Sequence, residues 1–80
     1  RYLKVSVHLE APGEEAAKEV ERRRPQLLDL LVGTLTRKSL VDVTAPEALD
    51  RLREEVQQKA AQALGPDKVR RVFITEFVVQ

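Results

Sequence analysis

The two ends of the chain alternate in polarity and the stretch between them does not. From Arg1 to Glu10, Leu3, Val5, Val7 and Leu9 point one way, while Tyr2, Lys4, Ser6, His8 and Glu10 point the other. That period of two marks a half-buried strand. Residues 72–80 read Val-Phe-Ile-Thr-Glu-Phe-Val-Val-Gln and form a second strand pattern. Here the apolar positions fall on both faces, Phe73, Phe77 and Val79 on one and Val72, Ile74 and Val78 on the other. Such a strand is expected to be covered on both sides, by material beyond this chain on the second face. Glu76 shares a side with Ile74 and Val78 on this reading. A carboxylate in that company is expected to pair with Lys4 or Arg71, the alternative being an interface contact.

Between the strands the period is helical. Ala11-Pro12-Gly13 ends the first strand, and Glu14 and Glu15 put negative charge on a helix's first turn, where the macrodipole favours it. Val20, Leu27, Leu28, Leu31 and Leu35 make one apolar stripe interrupted at Pro25, which predicts a kink or break near Arg23-Arg24. Arg37-Lys38-Ser39 closes this helix, and Leu40-Val41-Asp42-Val43 reads as a short extended connector. Thr44 and Glu47 have the spacing of a capping box with Pro46 in the first turn, which predicts a helix starting there and a cost of about 1 kcal/mol on losing Thr44. Leu49, Leu52, Val56, Ala60, Ala63 and Leu64 share a face of that helix, and Gly65-Pro66-Asp67 stops it. Glu47–Arg51 and Glu55–Lys59 are attractive i,i+4 pairs and Asp50–Glu54 a repulsive one. The order β-α(kinked)-α-β predicts a small two-layer α/β domain with helices packed on one face of a sheet.

Eighty residues allow a single domain, and one this small buries only roughly 60–65% of the surface of its unfolded chain. Fourteen basic and 13 acidic residues leave a net charge of +1, which offers no field for nucleic acid, and three aromatics offer little to stack bases on. The absence of cysteine removes disulfides, thiolate catalysis and zinc–cysteine sites. The chain opens at Arg1 already inside a strand pattern, so it is expected to be a fragment of a longer protein. No run of about 18 apolar residues is present.

Candidate chemistry is sparse. His8, the single histidine, has no Asp, Ser or Cys at motif spacing, and an exposed histidine accounts for it better than a catalytic or metal-binding one. Gly13, Gly33 and Gly65 are too dispersed to cradle phosphate. No cofactor, metal site or small-molecule substrate is indicated. Arg22-Arg23-Arg24 is the sharpest charge cluster; Glu14, Glu15, Glu19 and Glu21 offset it. It reads as a solvated helix face first and a protein contact second, with phosphate or lipid a distant third.

With these segments in view, the chain resembles the FliL family of flagellar basal-body-associated proteins. The resemblance rests on residues 1–10, on Arg23-Arg-Pro-Gln-Leu-Leu-Asp29, on Thr44-Ala-Pro-Glu47 with Leu52-Arg-Glu-Glu-Val56, and above all on Phe73-Ile-Thr-Glu-Phe-Val-Val-Gln80. Residues 34–42 and the connector Ala45–Ala48, which lacks the glycine common after Pro-Glu, depart from the pattern. The resemblance implies a stomatin/prohibitin-like fold and no catalytic residue. It implies that residues 1–80 are most of the periplasmic domain of a single-pass inner-membrane protein, with the transmembrane helix, linker and a first strand upstream. The implied partners are the stator proteins MotA and MotB and further copies of the same protein in a ring, supporting torque, swimming and swarming. Candidate contact residues for such assembly are Arg22, Arg23, Arg24 and the connector Leu40, Val41, Asp42 and Val43. The alternatives are a stomatin-type membrane scaffold organising another complex and, third, a small anion-binding domain using the arginines.

Overall fold

Both alternating ends become strands of one sheet. A computed structural model describes residues 2–80. Strand β1 (Leu3–Glu10) pairs antiparallel with β2 (Arg71–Val79), and helices α1 (Glu14–Arg22), α2 (Arg24–Thr36), α3 (Leu40–Thr44) and α4 (Ala48–Leu64) lie between them in sequence. The result is the expected α/β domain, helices packed against a two-stranded sheet.

The core forms where α2 and α4 meet the sheet. Leu52, Val56, Ala60 and Leu64 recur every fourth residue on α4 and are buried with Leu27, Val69 and Val72; Val5, Val7, Leu9, Ile74 and Phe77 pack against them. Removing these side chains from water is the main stabilising term, about 1.5–3 kcal/mol for each large one. Ala48 is also buried, whereas Leu49 lies partly exposed beside the stripe. Leu28 is 50% exposed rather than part of the α2 stripe. It sits one step round the helix from Leu27, so it turns away from α4 and joins Val32, four residues on, in a second, exposed ridge.

Much of the apolar character on both faces of β2 has a local cause, although Phe73 and Val78 stay on the open face opposite His8 and Lys4. The ladder runs Leu3↔Val79 to Ser6↔Glu76, then Val7↔Ile74 to Glu10↔Arg71, so Thr75 is an extra, unpaired residue. This β-bulge shifts the alternation by one. Val72 and Ile74 before it and Phe77 after it therefore pack on the same, helix-covered face, opposite Leu9, Val7 and Val5. Glu76 faces away from Ile74, on the open face. It accepts from Ser6 Oγ at 2.9 Å and lies 3.5 Å from Lys4 Nζ, the expected pairing with Lys4.

The connector is corrected. Leu40–Thr44 is helical, and its cap is Ser39: Ser39 Oγ accepts from the Asp42 N–H at 3.1 Å, and the Asp42 carboxylate accepts from the Ser39 N–H at 2.8 Å. Thr44 caps nothing; its hydroxyl donates to the Leu40 carbonyl at 2.8 Å, and α4 begins after Glu47 without a side-chain cap. Ala45 has ψ 151°, because a residue preceding proline is driven out of the helical region, and this ends α3 before Pro46. At the other boundary, Gly65 has φ 112°, a left-handed value that glycine adopts without a Cβ penalty, and the chain turns there toward β2.

Candidate protein-contact site

Pro25 divides the first helical stretch as expected: α1 ends at Arg22, Arg23 is non-helical with φ −96° and ψ 12°, and α2 carries Pro25 in its first turn. This break gives the three arginines different tasks. Arg22 reaches back to Glu19 at 2.6 Å and Arg24 lies 4.0 Å from Glu21; both side chains are about two-thirds exposed. Arg23 is structural. Its Nε donates to Glu19 at 3.0 Å, and Nη1 donates to the Ala63 carbonyl at 3.0 Å. That carbonyl belongs to the last turn of α4, where backbone acceptors lack helical partners, so Arg23 caps a helix forty residues away in sequence. The Arg22 and Arg23 hydrogen bonds hold the Glu19 carboxyl below the usual carboxylate range.

The second candidate patch is α3. Leu40 is 40% and Val41 74% exposed, Asp42 is spent on the cap, and Val43 is half-buried. The Ser39 hydrogen bonds to Asp42, from backbone and side chain, lower the Asp42 carboxyl's pKa. The arginines and α3 stand at opposite ends of α2, whose thirteen residues span about 20 Å. The two patches are therefore separate surfaces.

A polar chain between α2 and α4 escaped the sequence reading. Thr34, 1% exposed, donates to the Leu30 carbonyl at 2.9 Å and accepts from Lys59 Nζ at 3.1 Å. Lys59 lies 3.4 Å from Glu55, which accepts from Lys38 Nζ at 2.6 Å. The Lys38 hydrogen bond, with the charge of Lys38 and the contact with Lys59, depresses the Glu55 pKa. The only sequence signal was the Glu55–Lys59 spacing; Thr34 and Lys38 join by tertiary contact alone.

Chemistry beyond contact has little material. Among the described residues no group of three or more His, Cys, Asp or Glu could hold a metal ion, and no helix is long and apolar enough to cross a membrane. His8 is exposed on the open sheet face, opposite Phe73.

Comparison with known proteins agrees with the segments quoted above. The family model for the flagellar basal body-associated protein FliL matches residues 1–80. A curated relative, "Flagellar protein FliL" of Aquifex aeolicus (strain VF5), is 29% identical over 79 residues, covering 99% of this chain and 49% of its own length. The chain thus spans about half the length of the curated relative it matches. With the match running from the first strand through the bulged last one, the chain belongs to the FliL family of flagellar basal body-associated proteins.

Proposed function

We infer that this domain works as a non-enzymatic accessory of the flagellar motor, a scaffold that stands beside the stator units MotA and MotB and supports torque, swimming and swarming. On this reading it is the periplasmic part of a single-pass inner-membrane protein whose copies associate in a ring. The observation that carries the reading is the family match over residues 1–80. The molecule supports it with two exposed, unlike surfaces at opposite ends of α2, the arrangement a head-to-tail contact needs if rotation is to close it. An anchor would raise the effective concentration of neighbours in the membrane, so the contact can be weak in solution.

The test is crosslinking in cells of the full-length protein, with photoreactive probes at Val41 and Arg24. Both are exposed, and neither carries the tie that Arg23 makes to α4. Adducts to MotB together with self-adducts are the expected result. Self-adducts without a stator protein would overturn the motor role and favour a membrane scaffold for another complex. No adducts of either kind would remove both surfaces.

A further inference from the structure

Helix α2 is apolar nearly all the way round. Leu27, Leu31 and Leu35 pack into the core, and Thr34 meets Lys59 of α4. Leu28 borders the groove beside β1, together with Glu21 and Arg24. The side turned away from both the sheet and α4 carries Pro25, Asp29, Val32, Gly33 and Thr36. Val32 is 58% exposed there, and Pro25, Asp29 and Thr36 are exposed with it. The Thr36 hydroxyl is spent inside the helix, donating to the Gly33 carbonyl at 3.2 Å, so Asp29 is the single charge on this stripe. A helix apolar on every side is the pattern of a covered one, whereas α1 and α4 turn charged residues outward.

Gly33 has no explanation inside the domain. Glycine weakens a helix interior relative to alanine, yet a Cβ at this position would meet nothing within 4 Å, and its backbone needs no positive φ. A missing side chain on an outward helix face lets a second helix come close, because the distance between packed helices is set by the side chains at their contact. Charge supplies the other element. Asp29 and Arg37 lie four residues before and four after Gly33, about 6 Å along the helix in either direction. Among the described residues neither has an ion-pair partner, while Arg22, Arg23, Arg24 and Lys38 each do.

We propose that the outward face of α2 packs antiparallel against α2 of a second copy, about a two-fold axis level with Gly33. The symmetry sets each Asp29 level with Arg37 of the second copy, so two charges without partners in the chain satisfy each other twice. It brings the two Val32 side chains together beside the axis, with Pro25 and Thr36 along the same stripe. A parallel arrangement would set Asp29 beside Asp29 and Arg37 beside Arg37. The second copy is thus the occupant that the charges specify. The contact involves no more than the thirteen residues of α2, a small area that calls for concentrated copies. An isologous contact stops at two copies, so it is separate from the surfaces at the ends of α2 and independent of the motor reading.

The test uses full-length protein in cells. None of the 80 residues is cysteine, so Val32→Cys adds one reporter to this domain, with Gln58→Cys, exposed on α4, as the control. The expected result is a disulfide dimer several-fold more abundant from Val32→Cys than from Gln58→Cys. Asp29→Arg should reduce that dimer about tenfold by creating two like-charge oppositions, and adding Arg37→Asp should restore it. Gly33→Ala separates contact from fold. In purified full-length protein dilute enough to be monomeric, the thermal midpoint should rise, since the new Cβ is unopposed, while the crosslink in cells falls several-fold. Equal crosslinking at the two positions, no rescue by the double reversal, or a crosslink indifferent to Gly33→Ala would overturn the proposal. So would a lower midpoint for Gly33→Ala, which would give the glycine a role in the fold itself. Val32→Cys shielded from a soluble maleimide in the monomer would overturn it too, by showing that another segment of the same chain covers the stripe.

Discussion

Single residues decide the ends of helices here, and two of them were legible only in part. Two cap spacings lie within six residues: Ser39 with Asp42, read from the sequence only as a helix end and a connector, and Thr44 with Glu47, read as the cap. The first wins because Ala45 precedes Pro46 and is held extended, which leaves Thr44 inside α3 and not before α4. Ser39→Ala should cost about 1 kcal/mol, whereas Thr44→Ala should be nearly neutral, a contrast that denaturant titration of both variants would settle. Arg23 makes a similar point: its sequence neighbours suggest an undivided basic cluster, and only the break at Pro25 lets it reach Ala63. Arg23→Ala should lower stability by roughly 1 kcal/mol, while Arg22→Ala and Arg24→Ala leave the thermal midpoint unchanged. Interface mutagenesis on this cluster is therefore clean at Arg22 and Arg24 and confounded at Arg23. Gly65→Ala should also destabilise, since an L side chain is strained at φ 112° and its Cβ would lie 3.3 Å from Asp67 Oδ1.

At the scale of elements, long periodic segments declared themselves and short irregular ones did not. The four-residue recurrence on α4 and the alternation of β1 needed no structure to be seen. The bulge at Thr75 was invisible, because one inserted residue moves Phe77 and Val79 onto the face of Val72 and Ile74, leaving Phe73 and Val78 on the open face. Deleting Thr75 leaves Val72, Ile74, Phe77 and Val79 in unbroken alternation, so the shortened domain should still unfold cooperatively on heating. Loss of cooperativity would mean that the bulge's twist, rather than the facing of its neighbours, holds β2 on the helices. The candidate contact patches were readable as exposed charge and exposed aliphatics. Their separation by the length of α2 was not, since the connector read as extended.

For the whole molecule, Glu55 and its two lysines bring α4, α2 and the turn after α2 under one charge. Its folded pKa lies below its unfolded value, so the contribution to stability is complete above the ordinary carboxylate range and vanishes as pH falls through the depressed folded value. The thermal midpoint should therefore fall as the pH drops below the ordinary carboxylate range, and Glu55→Gln should flatten that limb while lowering the plateau near neutrality. A titration unchanged by Glu55→Gln would assign the acid limb to the exposed Glu19 and Asp42 instead.

The reciprocal bonds between Tyr2 and Gln80 put both ends of the sheet side by side. Force applied between those two residues would open the strands like a zipper, one hydrogen-bonded pair at a time. Force between Glu10 and Gln80 would shear the whole ladder at once. Optical-trap unfolding should thus give a markedly lower rupture force for the 2–80 geometry than for 10–80. A domain built this way resists load poorly when stretched between Tyr2 and Gln80, and far better when its two strands are pulled from opposite ends.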